Sequence, residues 1–179
     1  MNNQTIENFK RKFINGTNYK LKQYPDDDQY LIEHTPTGSY LLFSKQDKRF
    51  TINLGGNPPN ARGFGIGIRL RALATALSIL KNMKINQQGI FENRRQYPIP
   101  LTRKSRPAST LLLRKYLGFV PKNKKRETPK RIFYNSVYIP GNPRKDKRVF
   151  KAARTNTFNE NEYIRRLSKG ILSRAITNQ

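Results

Sequence analysis

Pro59-Asn60-Ala61-Arg62-Gly63-Phe64-Gly65-Ile66-Gly67 sets three glycines in alternation directly before a long apolar run, Ile68 to Lys81. A glycine-rich loop that enters a helix is an anion site. Without Cβ atoms the backbone comes close to a ligand, and the first-turn N–H groups of the helix point at its oxygens with the helix dipole favouring negative charge. Arg62 adds a positive charge at the mouth of the loop. Glycine runs also make ordinary turns, so the loop alone leaves both readings open.

The run after the loop carries Ile68, Leu70, Leu73, Leu77 and Leu80, with alanines at 72, 74 and 76. That pattern predicts a helix over 67–81 buried on more than one side, its alanines packing closely on a sheet. Before the loop, Ile6 to Ile14 reads as a short amphipathic helix. Tyr30 to His34, Tyr40 to Phe43 and Lys48 to Leu54 then read as three strands of an antiparallel meander, with Pro36-Thr37-Gly38 turning between the first two. Asp26-Asp27-Asp28 reads as a solvated turn, because adjacent carboxylates diverge and make a poor cation site. Further on, Pro107 to Leu117 is a short amphipathic helix stopped by Gly118, and Phe119 begins a new apolar segment. Another strand is predicted around Ile132 to Ile139, ended by Pro140-Gly141-Asn142-Pro143.

The loop at 62–67 and the later Leu117-Gly118-Phe119 together resemble the GNAT superfamily of acyl-CoA-dependent N-acetyltransferases. Its signature is a proline-led Arg/Gln-x-x-Gly-x-Gly/Ala loop followed by a helix ending in leucine-Gly-Phe. The resemblance covers about residues 50–121. It implies a mixed α/β (α+β) fold with a mostly antiparallel sheet and a central pyrophosphate-loop helix, with acetyl-CoA as the cofactor. Arg62, Gly63, Phe64, Gly65, Ile66 and Gly67 would form the pyrophosphate cradle, and Ile52, Asn53 and Leu54 would lie on the strand beside the pantetheine arm. The two motifs stand further apart than usual, which implies an insertion around 86–106. Many members place a proton-donating tyrosine four residues before the glycine of the final Gly-Phe. Arg114 stands there, and Tyr116 is the nearby alternative. No carboxylate occurs on the strand leading into the loop, so Glu33, with its neighbour His34, is the nearest candidate for a general base.

Charge supports a second function class. The 179 residues hold 36 Lys+Arg against 11 Asp+Glu, a formal net charge of +25. Up to residue 61 there are 8 basic and 6 acidic residues, and beyond it 28 basic and 5 acidic. Such an excess implies a polyanionic partner, held by backbone contacts, through residues 94–174. Tyr97, Phe133, Tyr134, Tyr138 and Phe150 offer stacking surfaces, or equally core residues. From about Arg144 the chain turns basic and poor in apolar residues. The expected organisation is therefore a GNAT-like domain over 1–143 and a basic tail over 144–179, with a helical pattern at 160–176.

The two readings are an N-acetyltransferase acting on an amine of a protein or polyanion-associated substrate, and a non-catalytic, nucleic-acid-associated virion or ribosomal component. Cysteine is absent and histidine occurs once, which argues against thiolate catalysis and a conventional zinc site. The longest apolar stretch is interrupted by Arg69, Arg71 and Lys81, so no membrane span is expected. The amino terminus lacks a secretory h-region, which fits an intracellular setting such as cytoplasm, organelle matrix or virion.

Overall fold

A computed structural model describes residues 3–24, 28–92, 113–121, 126–127 and 131–177. Helix α1 (Asn3–Phe13) buries Ile6, Phe9 and Phe13 and leads through Gly16, at φ +73°, into the sheet. Strands β1 (Tyr19–Tyr24), β2 (Gln29–His34), β3 (Ser39–Gln46) and β4 (Arg49–Gly56) form an antiparallel meander. Helix α2 (Ile66–Leu80) then carries the chain to β5 (Lys84–Glu92), which lies parallel to β4. A π-helical turn, Leu113–Leu117, precedes β6 (Val120–Pro121), β7 (Arg126–Glu127) and β8 (Arg131–Tyr138). The chain ends in α3 (Pro143–Arg154) and α4 (Glu160–Thr177). The eight described strands form one sheet in the order β1-β2-β3-β4-β5-β8-β6, with β7 also against β8. Only the β4–β5 pairing is parallel, which gives the mixed, mostly antiparallel architecture that the resemblance implies.

Strand alternation explains where the core sits. Tyr30, Ile32 and His34 on β2, Leu41 and Phe43 on β3, and Phe50 and Ile52 on β4 are buried on one face of the sheet, as a period of two requires. Helix α2 packs there, with ten residues from Ile66 to Ser78 buried, so its predicted burial on several sides holds. Leu31, Glu33, Tyr40 and Leu42 alternate with these on the opposite face and are half-buried.

Three differences from the sequence reading have physical causes. The meander has four strands before the loop, because Tyr19–Tyr24 pairs with β2 in full register from Tyr19↔His34 to Tyr24↔Gln29. Its lysine-rich sequence hides a strand of which Tyr19 is the one fully buried residue. The insertion expected at 86–106 is corrected at its start. Residues up to Glu92 are strand, with Asn86 through Glu92 pairing antiparallel with β8 from Val137 back to Arg131, and 93–106 lie outside the described residues. Of the helix expected over 107–117, only the turn Leu113–Leu117 is described, and Gly118 follows it at φ +77°, as a stop signal should.

The third difference concerns the expected tail. Residues 143–154 are a helix whose Val149 and Ala153 are fully buried against α2. Asn142 caps it by accepting from the Lys145 amide at 3.1 Å, and Pro143 stands at its first position, a standard start signal. Asp146 fixes its base to the sheet, accepting from the Tyr138 hydroxyl at 2.5 Å and the Gly141 amide at 3.1 Å. Helix α4 covers the 160–176 region where a helical pattern is expected.

Candidate functional site

The site is built where β4 and β5 part. They pair in parallel from Arg49↔Lys84 to Ile52↔Gln87. Beyond that point β4 runs on to Gly56 against β3 alone, while β5 runs on to Glu92 against β8. The divergence follows from a bulge. Leu42 faces Leu54 but Phe43 faces Ile52, so Asn53 is the extra residue on β4, and a bulge bends and twists the strand that carries it. The Asn53 side chain is tied back to β3, its Nδ2 donating to Ser44 Oγ at 3.1 Å. Of the three residues assigned to the pantetheine strand, Ile52 is buried in the core, while Asn53 and Leu54 are exposed along the edge that β5 leaves open.

The loop between β4 and α2 holds the conformation that its glycines allow. Gly63 has φ +88° and Gly65 φ +71°, a region that L side chains enter only with strain. The Gly65 carbonyl starts the helix by accepting from the Ile68 and Arg69 amides at 3.1 and 3.0 Å. Among the described residues, the amides of Gly63, Phe64, Gly65, Ile66 and Gly67 find no acceptor. Five consecutive donors stand at the positive end of a fifteen-residue helix, an arrangement suited to an anion.

The C-terminal segment orients those donors. Thr157 Oγ1 donates to the Phe64 carbonyl, and Arg166 Nη1 donates to the Arg62 carbonyl at 2.8 Å. In a trans peptide the carbonyl and the following N–H point in opposite directions. Holding these two carbonyls toward residues 157–166 therefore turns the N–H groups of Gly63 and Gly65 the other way. Phe64 serves the loop as an anchor, its buried ring packed against Phe158 and Tyr163 and under the Arg166 guanidinium at 4.4 Å. Ile66 likewise sends its side chain into the core, and Arg62 is exposed at the loop's edge. Nothing in the local composition of 157–166 signals that it supports a loop 93 residues earlier.

A cavity of about 600 Å³ opens beside the first turn of α2, lined by Gly65, Ile68, Lys115, Tyr116, Arg148 and Lys151 among others. Tyr116 and, of the loop residues, Gly65 both stand on its wall. The four cations on its wall, Arg69 from α2, Lys115 from the π-helical turn and Arg148 and Lys151 from α3, suit phosphate groups. The side chain of Arg114 lies outside the described residues.

The two base candidates on β2 point in opposite directions. His34 is fully buried, its Nδ1 bonded to Thr37 Oγ1 at 2.8 Å and its Nε2 without a hydrogen-bond partner. Burial, with a smaller contribution from the Arg69 charge, lowers its pKa to about 4. It is enclosed by the rings of Tyr19 and Phe158, so it is a core residue closed to an incoming amine. Glu33 is half-buried on the other face, 3.7 Å from Lys22 Nζ. It stands two strands from β4, roughly 9.5 Å by ordinary strand spacing.

The depressed pKa of His34 makes a pH prediction. Folding favours its neutral form, so the contribution is fully present above about 6.5 and is lost as pH falls from there toward 4, amounting to about 3 kcal/mol at most. Urea unfolding at pH 7, 5.5 and 4 should show this decline, and His34→Gln should flatten it within that window. Equal slopes in both proteins would remove His34 as the cause.

The chain matches no protein-family model and no curated protein sequence. Among solved structures it is similar to a protein assigned to the GNAT family of acetyltransferases from Desulfovibrio desulfuricans, at 12% identity and a TM-score of 0.47 over 63% of this chain and 69% of that one. It is also similar to nourseothricin acetyltransferase, at 14% identity and a TM-score of 0.43 over 70% and 86% of the two chains. A GNAT-family protein assigned as an acetyltransferase from Bacteroides thetaiotaomicron gives 12%, 0.40, 80% and 85%. These are similarities of overall arrangement, and the functional assignment rests on the chain's own residues. Among the described residues no helix is long and apolar enough to cross a membrane.

Proposed function

We propose that this protein is an acetyl-CoA-dependent N-acyltransferase that acts on an amine of a protein or polyanion-associated substrate. The observation that carries this is the row of five backbone amides without acceptors, set where two parallel strands part. The residues fit coenzyme A. The amides of 63–67 would hold its diphosphate. The open edge of β4 at Asn53 and Leu54 offers backbone groups to the pantetheine amides. Coenzyme A, when bound, supplies a thioester carbonyl open to attack and a thiolate leaving group.

The chain's own contribution is alignment and proton management. Fixing the donor against a rigid strand and loop supplies much of the rate of such a transfer. Tyr116 Oη, on the wall of the same cavity as the loop, is assigned the proton delivered to the leaving sulfur. Glu33, ion-paired and two strands from β4, is assigned proton removal from the amine through water. Tyr116→Phe should lower kcat about ten- to a hundredfold with the KM for acetyl-CoA unchanged within twofold, as steady-state kinetics would show. Calorimetric titration of the nuclease-treated protein with acetyl-CoA tests the assignment as a whole. Saturable binding supports it, and its absence at millimolar ligand overturns it.

One observation favours a second role beside the first. Helix α3 carries Arg144, Lys145, Lys147, Arg148, Lys151 and Arg154, all exposed and none in an ion pair among the described residues. Its one carboxylate, Asp146, is held by Tyr138 and Gly141. Such a row of cations fits a nucleic-acid backbone. Binding to single- and double-stranded probes should then weaken steeply with salt, and salt-independent or absent binding would exclude it.

A further inference from the structure

Helix α2 carries two mostly buried arginines, and only one of them has an evident structural purpose. Arg69 donates from Nε to the Ala153 carbonyl at 3.1 Å and lies 4.5 Å from the centroid of the Tyr19 ring. It thereby ties α2 to α3 and to β1. Arg71 points to the sheet. Its Nε donates to Gln87 Oε1 at 3.2 Å, and its Nη1 donates to the Gly67 carbonyl at 2.9 Å. Gln87 is the last β5 residue that pairs with β4. The Arg71 Nη2 lies 3.9 Å from where a Cβ on Gly55 of β4 would stand. The guanidinium therefore sits in the opening between β4 and β5, beside the first turn of α2.

No carboxylate reaches this cation among the described residues, and burial alone lowers its pKa. Its Nη2 finds no acceptor there either. A guanidinium taken out of water without a counter-charge costs several kcal/mol unless something anionic completes it. The loop amides already provide for a diphosphate. The oxygen of a neutral thioester would accept a hydrogen bond but leave the charge uncompensated. A carboxylate would supply both, since the free edge of a planar guanidinium presents paired donors in carboxylate geometry.

We infer that Arg71 is the specificity residue of this site, selecting an acyl donor whose acyl chain ends in a carboxylate. The inference rests on the acyl-CoA assignment above and replaces its acetyl group with the acyl group of a dicarboxylic half-thioester. The guanidinium would hold the distal carboxylate, with Gln87 and Gly67 fixing its plane.

Calorimetric titration of the full chain with succinyl-CoA and with acetyl-CoA tests it, using wild type, Arg71→Leu and Arg71→Gln. Wild type should bind succinyl-CoA at least tenfold more tightly than acetyl-CoA. Both variants should reduce that ratio to about one, with acetyl-CoA affinity held within threefold. Equal affinity of wild type for the two thioesters would overturn the inference. So would an equal loss for both in the variants, which would assign the guanidinium to the diphosphate they share. Failure of wild type to bind either would instead overturn the acyl-CoA assignment on which the inference stands. Two variants of different polarity, each compared by melting temperature, separate the loss of a contact from a loss of fold.

Discussion

Gly65→Glu is expected to raise the Kd for acetyl-CoA at least a hundredfold. Three effects act at one position. Gly65 holds φ +71°, where a side chain is strained by about 1 kcal/mol or more. Its Cβ would stand 2.7 Å from Thr157 Oγ1, so the clamp on the Phe64 carbonyl would have to move. A carboxylate would also place a negative charge beside the loop amides, where it repels phosphate. Thr157→Ala separates these effects, because it removes the clamp and leaves the loop sequence intact. One hydrogen bond of ordinary worth predicts about a fivefold weakening. Gly65→Ala combined with Thr157→Ala should bind better than Gly65→Ala alone, because the clash is gone. Calorimetry with circular dichroism on each variant decides the matter, and unchanged affinity in a folded Gly65→Glu protein would remove the loop from the site.

Ending the chain after Asn142 should abolish cooperative unfolding. A dispensable tail would leave thermal stability unchanged, but this segment completes the core. Val149 and Ala153 are fully buried, Tyr163 nearly so, and Phe150 stacks on Phe13 with ring centroids 5.6 Å apart. Phe158 closes over His34 and Phe64. Each such side chain contributes roughly 1 to 3 kcal/mol when buried, and together they rival the 5–15 kcal/mol that holds a domain together. Truncation would also leave Arg69 buried without its Ala153 acceptor. A thermal melt followed by circular dichroism should show a broad, non-cooperative transition. A sharp melt within a few degrees of the full chain would return the segment to the status of a tail.

Much of this protein was legible because the signals are local. The glycine loop, the long apolar helix after it, the meander turns and the Gly118 stop each depend on residues within a few positions, so composition and period identify them. Tyr19–Tyr24 was not legible, since an edge strand with one fully buried residue and three polar side chains has too weak an alternation. Helix α3 was hidden in a similar way. Its basic exterior dominates the sequence, while the face that packs rests on Val149 and Ala153, which are small. The Asn142-Pro143 start signal was present but ambiguous, because the same residues also end β8.

The site divides along the same line. Sequence by itself determined that the loop at 62–67 bends as it does before α2, since Gly63 and Gly65 take up positive φ values at no steric cost. Tertiary structure alone decided that the loop faces an opening between β4 and β5, because strand divergence depends on a bulge at Asn53 and on pairing with β3 and β8. It alone placed Arg71 in that opening, while tying Arg69 to Ala153 at the cavity wall and enclosing His34 in the core. These three residues look alike as isolated polar side chains in apolar surroundings, and their neighbours, brought together from distant parts of the chain, give each its chemistry.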